Sequence, residues 1–193
     1  MDASVLSFAT KAAEAADRAG GALPPVERWN PDYCGDIPMR IAADGVWFYE
    51  GTPIGRAPLV RLFSTILKRE GDEFFLVTPV EKMRITVDDA PFQAVRVDAE
   101  GEGESRRLVF TTNMGDRVAL GPDHPLAMRP AAGDLGLAPY IEVRRGLEAR
   151  ITRSVLFELV ELGEEREENG SAVIAVRSEG AWFALGPVEE TDG

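Results

Sequence analysis

The chain has 193 residues, 45% hydrophobic and 28% charged, with a formal net charge of -12. That is enough to bury a core as one large domain or two small ones. The acidic balance disfavours a reader of the nucleic-acid phosphate backbone, which needs a basic face, yet it allows a small anion held by a few local arginines.

Residues 164–193 carry eight acids and two arginines (-6), and residues 1–163 carry 25 acids and 19 bases (-6), so half of the excess lies at the end. Cys34 is the one cysteine, which excludes an intrachain disulfide and fits a reducing cytoplasm. No apolar run approaches the length of a bilayer span, and the N-terminus lacks the basic and apolar regions of a secretory signal. A cytoplasmic protein with no membrane and no nucleic-acid partner is expected.

Taken in order, residues 2–19 place Val5, Leu6, Phe8, Ala12, Ala13 and Ala16 on a loose helical stripe that Gly20-Gly21 stops, a helix packed on the surface. Pro24-Pro25 opens a segment with Trp29, Pro31, Tyr33, Cys34 and Pro38, read as a packed irregular connector because proline pushes each preceding residue toward extended conformations. Residues 39–41 and 46–49 read as strands around the turn Ala43-Asp44-Gly45. A strong helix follows. Pro58 suits its first turn, and Leu59, Leu62, Phe63, Ile66 and Leu67 line one face. Lys68-Arg69 suit its C-terminus and Gly71 ends it.

The remainder is strand-rich: residues 74–77, 83–87, 92–97, 108–112 and 118–120, then 140–143 and 147–151 after a Pro/Gly/Ala loop at 129–137. Ser154 caps a second helix with the stripe Val155, Leu156, Leu159 and Val160, stopped by Gly163. An acidic loop, the turn Asn169-Gly170, strands at 172–176 and 182–185, and a disordered tail from Val188 complete the chain. Residues 38–87 and 140–186 share an order of two strands, a helix and two strands. The expected fold class is therefore α+β, two domains with repeated ββαββ motifs. The expected divisions are an N-terminal helix or arm (1–22), an α+β domain (23–80), a β-rich domain with one helix (81–186) and a tail (187–193). The octet at 44–51, DGVWFYEG, also returns at 179–186 as EGAWFALG, at a different point of its unit.

The runs PPVERWNPDYCGDIPMRIAADGVWFYEGTPIGR, FFLVTPVEKMRITVDDAPF, FTTNMGDRVALGPDHPLAMR and PYIEVRRGLEARITRSVLFELVELG resemble the bacterial family known as domain of unknown function 1285, over residues 24–163. The resemblance implies two domains with repeated structural motifs, the C-terminal one superficially like a pleckstrin-homology fold. It also implies a ligand site where the domains meet, for a nucleotide-like molecule in signal transduction. It carries no enzymatic activity.

Residue chemistry agrees in finding no catalytic motif: no phosphate-binding Gly-rich loop, no HExxH and no Gly-x-Ser-x-Gly. No metal site and no cofactor is expected. The arginines carry the binding expectation. Arg40 and Arg56 bracket the first hairpin, Lys82 and Arg84 lie on one strand, and Arg144-Arg145 close a tight turn. Beside Trp47 and Tyr49 such groups can clamp an anion and stack a planar base. The bland alternative, that most pair with surface carboxylates, is favoured residue by residue. Thr112 and Asn113 are a hairpin turn first and a ligand loop second. His124 is the one side chain that titrates near neutrality by type, and it reads as structural. Cys34, between an aromatic and a carboxylate, reads as packed and inert. The leading expectation is a non-enzymatic protein holding a small anionic, nucleotide-like ligand between its domains. A protein–protein adaptor using a pleckstrin-homology-like sheet is the second, and a hydrolase using Asp36 or Asp116 with His124 the third.

Overall fold

In the computed structural model, which describes residues 3–20, 22–131, 136–168 and 170–187, the chain divides into two units, Met1–Pro91 and Phe92–Gly193. The first runs α1 (Ala3–Arg18), β1 (Tyr33–Ile41), β2 (Trp47–Tyr49), β3 (Thr52–Pro53), α2 (Ala57–Thr65), β4 (Leu67–Glu70), β5 (Glu73–Val77) and β6 (Lys82–Val87). Its six strands form one sheet in the order β3-β2-β1-β6-β5-β4. Every neighbouring pair is antiparallel except β1 and β6, which run parallel at the centre.

Ile37, Met39 and Ile41 alternate into the core from β1, and Trp47 and Tyr49 do so from β2. Helix α2 adds Val60, Phe63 and Ser64. Helix α1 is pinned by Phe8, Ala12 and Ala15, with the Phe8 and Phe63 ring centroids 6.5 Å apart. It is a packed helix, as its pattern predicts, although Ala15 takes the deep position expected of Ala16 and Leu6 stays exposed.

Three expectations for this unit change. Residues 33–38 are strand, not irregular connector. Their pairing with β6 shifts register between Tyr33 and Asp36 and again between Asp36 and Arg40, so β1 bulges where Pro38 has no N–H to offer the ladder. Helix α2 stops at Thr65 rather than continuing toward Gly71. Ile66 and Leu67 are both fully buried, and Leu67 pairs with Leu76 in the sheet, so tertiary pairing overrides the helical period. Lys68 and Arg69 therefore lie on a strand, and Gly71 closes the β4–β5 hairpin at φ 62. The expected division between residues 80 and 81 would also cut β6 from its partners β5 and β1, whereas the units part after Pro91.

The second unit is β7 (Phe92–Glu100), β8 (Arg107–Thr112), β9 (Arg117–Ala119), β10 (Leu126–Pro130), β11 (Leu137–Arg144), β12 (Leu147–Ile151), α3 (Arg153–Leu162), β13 (Glu164–Glu168), β14 (Ser171–Ser178) and β15 (Ala181–Pro187). They form a six-stranded sheet, β10-β11-β12-β7-β8-β9, and a three-stranded one, β13-β14-β15. Both units are thus sheets with few helices, an α+β, β-rich architecture. Strand β10 lies partly inside the expected loop, and β13 replaces the expected acidic loop. All five residues of β13 are exposed, so they show no burial period, and charge suits an edge strand that must not pair with another chain.

Around α2 the flanking strands share one sheet; around α3 they belong to two. The matched octets are alike as hairpins: each tryptophan follows an acid–glycine turn, with Gly45 at φ 83 and Gly180 at φ 77. Helix α3 begins after Thr152 rather than Ser154, burying Val155 and Leu159. Gly163 ends it against β14, where a Cβ would stand 2.6 Å from Ile174 Cγ2. The turn residue Asn169 and the tail from Val188 lie outside the described residues.

Candidate functional site

Strand alternation decides what surrounds the first hairpin. Arg40 pairs with Phe48 across β1 and β2, and its guanidinium lies 5.0 Å from that ring. Trp47 and Tyr49 point to the opposite, buried face. Trp47 is 2% exposed and stacked on Phe63, with centroids 6.4 Å apart at 18°. Arg40 therefore does not share a face with the two aromatics; it bonds Asp88 at 2.6 Å. Lys82 bonds Glu70 at 2.9 Å and covers the Phe75 ring at 5.0 Å.

Arg84 is the centre of an exposed network. Its Nε and Nη2 donate to Asp36 at 2.8 and 2.9 Å and its Nη1 to Glu73 at 2.6 Å, while the Tyr33 hydroxyl also donates to Asp36. Asp36, Glu73 and Arg84 border an acidic groove of about 390 Å³. The Arg84 hydrogen bonds, then that of Tyr33, hold the Asp36 carboxyl below its ordinary value, and the bond to Asp36 holds the Tyr33 hydroxyl above its own. Folding lowers the Asp36 pKa, so its contribution is complete above roughly pH 4 and lost as pH falls through the lower folded value. Replacing Asp36 with Asn should thus lower the Tm at pH 7, with the difference from the parent shrinking toward pH 2. Thermal melts at both pH values giving equal differences would remove Asp36 from the linkage.

In the second unit the loop candidates satisfy one another. Thr112 is buried; its Oγ1 accepts from the Met114 and Asp116 backbone amides and donates to Asp116 Oδ2 at 3.2 Å. Asn113 exchanges bonds with Gln93: its Oδ1 accepts from the Gln93 amide at 3.1 Å and its own amide donates to the Gln93 carbonyl at 2.8 Å. Arg144 bonds Asp116 at 2.5 Å and lies 4.7 Å over Phe92. Arg145 occupies a left-handed turn position at φ 52 before Gly146. His124 Nδ1 stands 3.0 Å from the Glu142 carbonyl oxygen. Asp116 bonds Thr112 and Arg144 and not this histidine, so the Asp116–His124 pair of the hydrolase reading is not assembled. Cys34 is exposed rather than packed, its Sγ 3.3 Å from the Asp32 carbonyl oxygen.

Arg56 stands apart. It precedes α2 with extended backbone, and among the described residues it has no carboxylate partner. It borders two cavities at once. One, of about 220 Å³, is lined by Tyr49, Glu50 and residues 52–55. The other, of about 530 Å³, lies between α1 and α2 and is lined by Leu6, Ala9, Thr10, Ala13, Leu59 and Leu62, with Pro58. Of the expected ligand residues, Arg56 and Tyr49 both border the smaller cavity.

One cationic cluster escaped the sequence. Arg166 lies 4.1 Å and Arg177 5.9 Å from the Trp182 ring, across β13, β14 and β15. The β14–β15 hairpin pairs Arg177 with Trp182, whereas Arg166 is hidden because residues 164–168 read as a loop.

These features define a two-unit, β-rich α+β protein in which, among the described residues, no helix is long and apolar enough to cross a membrane. The chain belongs to the DUF1285 family: residues 24–90 match the model described as domain of unknown function (DUF1285), N-terminal domain, and residues 91–185 the one described as protein of unknown function (DUF1285), C-terminal domain. That confirms the resemblance seen in the sequence. A DUF1285 family protein from Silicibacter pomeroyi DSS-3 is 50% identical with a TM-score of 0.81, covering 89% of this chain and 92% of its own. Another from Shewanella baltica OS155 is 30% identical with a TM-score of 0.50, covering 65% of this chain and 91% of its own. No curated protein matches.

Proposed function

We propose that this protein is a non-enzymatic binder of a small anionic ligand, and that Arg56 is the group that holds the anion. One observation carries the reading: Arg40, Lys82, Arg84 and Arg144 each meet a carboxylate, whereas Arg56 has none among the described residues and faces two cavities. A guanidinium not bonded to a carboxylate keeps its planar fork for an incoming carboxylate or phosphate, although Glu50 lines the smaller cavity with it. A nucleotide-like ligand used in signalling is the form of this reading that the family resemblance suggests.

The test is a thermal-shift panel of nucleotides, inorganic phosphate and small carboxylates on the parent and on Arg56→Gln. A ligand at 100 times its Kd should stabilise the parent by about 2.7 kcal/mol, and Arg56→Gln should weaken it about tenfold or more. A panel that leaves the parent unmoved at millimolar concentrations overturns the reading. That result would favour the second reading, a protein–protein adaptor with a pleckstrin-homology-like sheet, for which the 58% exposure of Phe157 and 44% exposure of Val160 on α3 speak.

A further inference from the structure

We infer that the groove between α1 and α2 takes a single-chain anionic amphiphile, its head group on Arg56 and its alkyl chain along the two helices. This rests on the reading of Arg56 as the anion's anchor and adds the class of ligand. The volume of about 530 Å³ suits a small molecule. Apart from Thr10, whose hydroxyl donates to the Leu6 carbonyl, its walls are alkyl: Leu6, Ala9 and Ala13 on α1 face Leu59 and Leu62 on α2.

The two helices do not close over this trough because their contact is made elsewhere. Phe8 and Phe63 turn inward and meet each other, and Ala12 and Ala15 fix α1 from the same side. Leu59 and Leu62 are left half-buried, and Leu6 is 54% exposed. In a chain of net charge -12 the trough has, among the described residues, no acidic lining residue, and its one charge there is the Arg56 cation.

That pattern selects among occupants. A nucleotide would set a polar sugar and base edge against leucine and alanine, leaving hydrogen-bonding groups unpaired. A second copy of the same face would bring two Arg56 cations together. An alkyl chain ending in a carboxylate or phosphate monoester satisfies both parts, apolar wall and single cation.

Calorimetric titration of the full chain with hexanoate, octanoate and decanoate below their micelle concentrations tests this, with 1-octanol as the uncharged control and acetate and inorganic phosphate as chainless anions. Affinity should rise about three- to tenfold for every two carbons, less than full burial of each methylene would give. Arg56→Gln should weaken the carboxylates about tenfold while leaving octanol unchanged. Ala13→Leu, which fills the trough and keeps a good helix former, should remove the chain-length dependence; its far-ultraviolet circular dichroism checks that α1 persists. Equal, Arg56-dependent binding of phosphate and decanoate would keep the anion reading and overturn the amphiphile. No Arg56-dependent binding of any anion would overturn both. A dimer in sedimentation that Leu62→Glu dissolves, with no alkyl carboxylate bound, would make the trough a self-interface and end the proposal.

Discussion

A Phe63→Ala variant is expected to lose about 3–5 kcal/mol of stability in the first unit. Phe63 has no exposed surface and touches both neighbouring layers. On one side its ring stacks on Trp47 at 6.4 Å, joining α2 to the sheet; on the other it tilts against Phe8 at 6.5 Å, joining α2 to α1. Truncation removes both ring contacts and leaves a cavity between a helix and a strand that backbone hydrogen bonds hold in place, so collapse is limited. Against a whole-domain stability of roughly 5–15 kcal/mol, such a loss brings partial unfolding at ordinary temperature. Urea unfolding followed by tryptophan emission measures it, and hydrogen exchange in α1 should accelerate more than in β5, because α1 loses its aromatic contact while β5 keeps its strand partners. Phe63→Leu should cost far less. A loss for the alanine variant below about 1 kcal/mol would show that Phe63 does not hold these layers together.

The same residue shows what could be read in the chain. Phe63 was legible as core because Leu59, Leu62 and Phe63 repeat at helical spacing on a segment opened by Pro58. The end of that helix was not legible: Ile66 and Leu67 continue the period, and only pairing with Leu76, nine residues farther on, makes Leu67 a strand residue. Strand β13 was hidden for the opposite reason. Its residues are all exposed, so nothing in EEREE separates an edge strand from a solvated loop. Trp47 and Tyr49 are near Arg40 in sequence, which suggests one site, but the hairpin register puts Arg40 opposite Phe48 and so on the other face. Arg56 stood among the candidates as one cation of several. What sets it apart, the lack of a bonded carboxylate among the described residues, depends on which acids the fold brings into contact with Arg40, Lys82, Arg84 and Arg144, and no local pattern encodes that.

Ser178→Ala is expected to cost the second unit about 2–4 kcal/mol for the removal of one oxygen. Ser178 is fully buried at the end of β14. Its Oγ donates to the Leu120 carbonyl at 2.7 Å and accepts from the Leu108 amide at 2.9 Å, so one hydroxyl fastens the three-stranded sheet to β8 and to the segment following β9. The Glu179 amide, donating to the Arg106 carbonyl at 2.9 Å, is the neighbouring backbone link. Alanine strips a partner from one buried N–H and one buried C=O, and each such group costs roughly 1–3 kcal/mol when water cannot replace the bond. Ser178→Cys fits nearly the same space and keeps a weak donor and acceptor, so it should recover part of the loss, whereas Ser178→Val should recover none. Chemical denaturation gives the magnitude. Hydrogen exchange gives the location: the Leu108 amide and the amides of β14 should lose protection while those of β11 and β12, on the far side of the six-stranded sheet, keep theirs. Full retention of stability in Ser178→Ala would mean that apolar packing and the Glu179–Arg106 backbone bond hold the two sheets without the hydroxyl, with Val176 and Leu159 then the residues to truncate next.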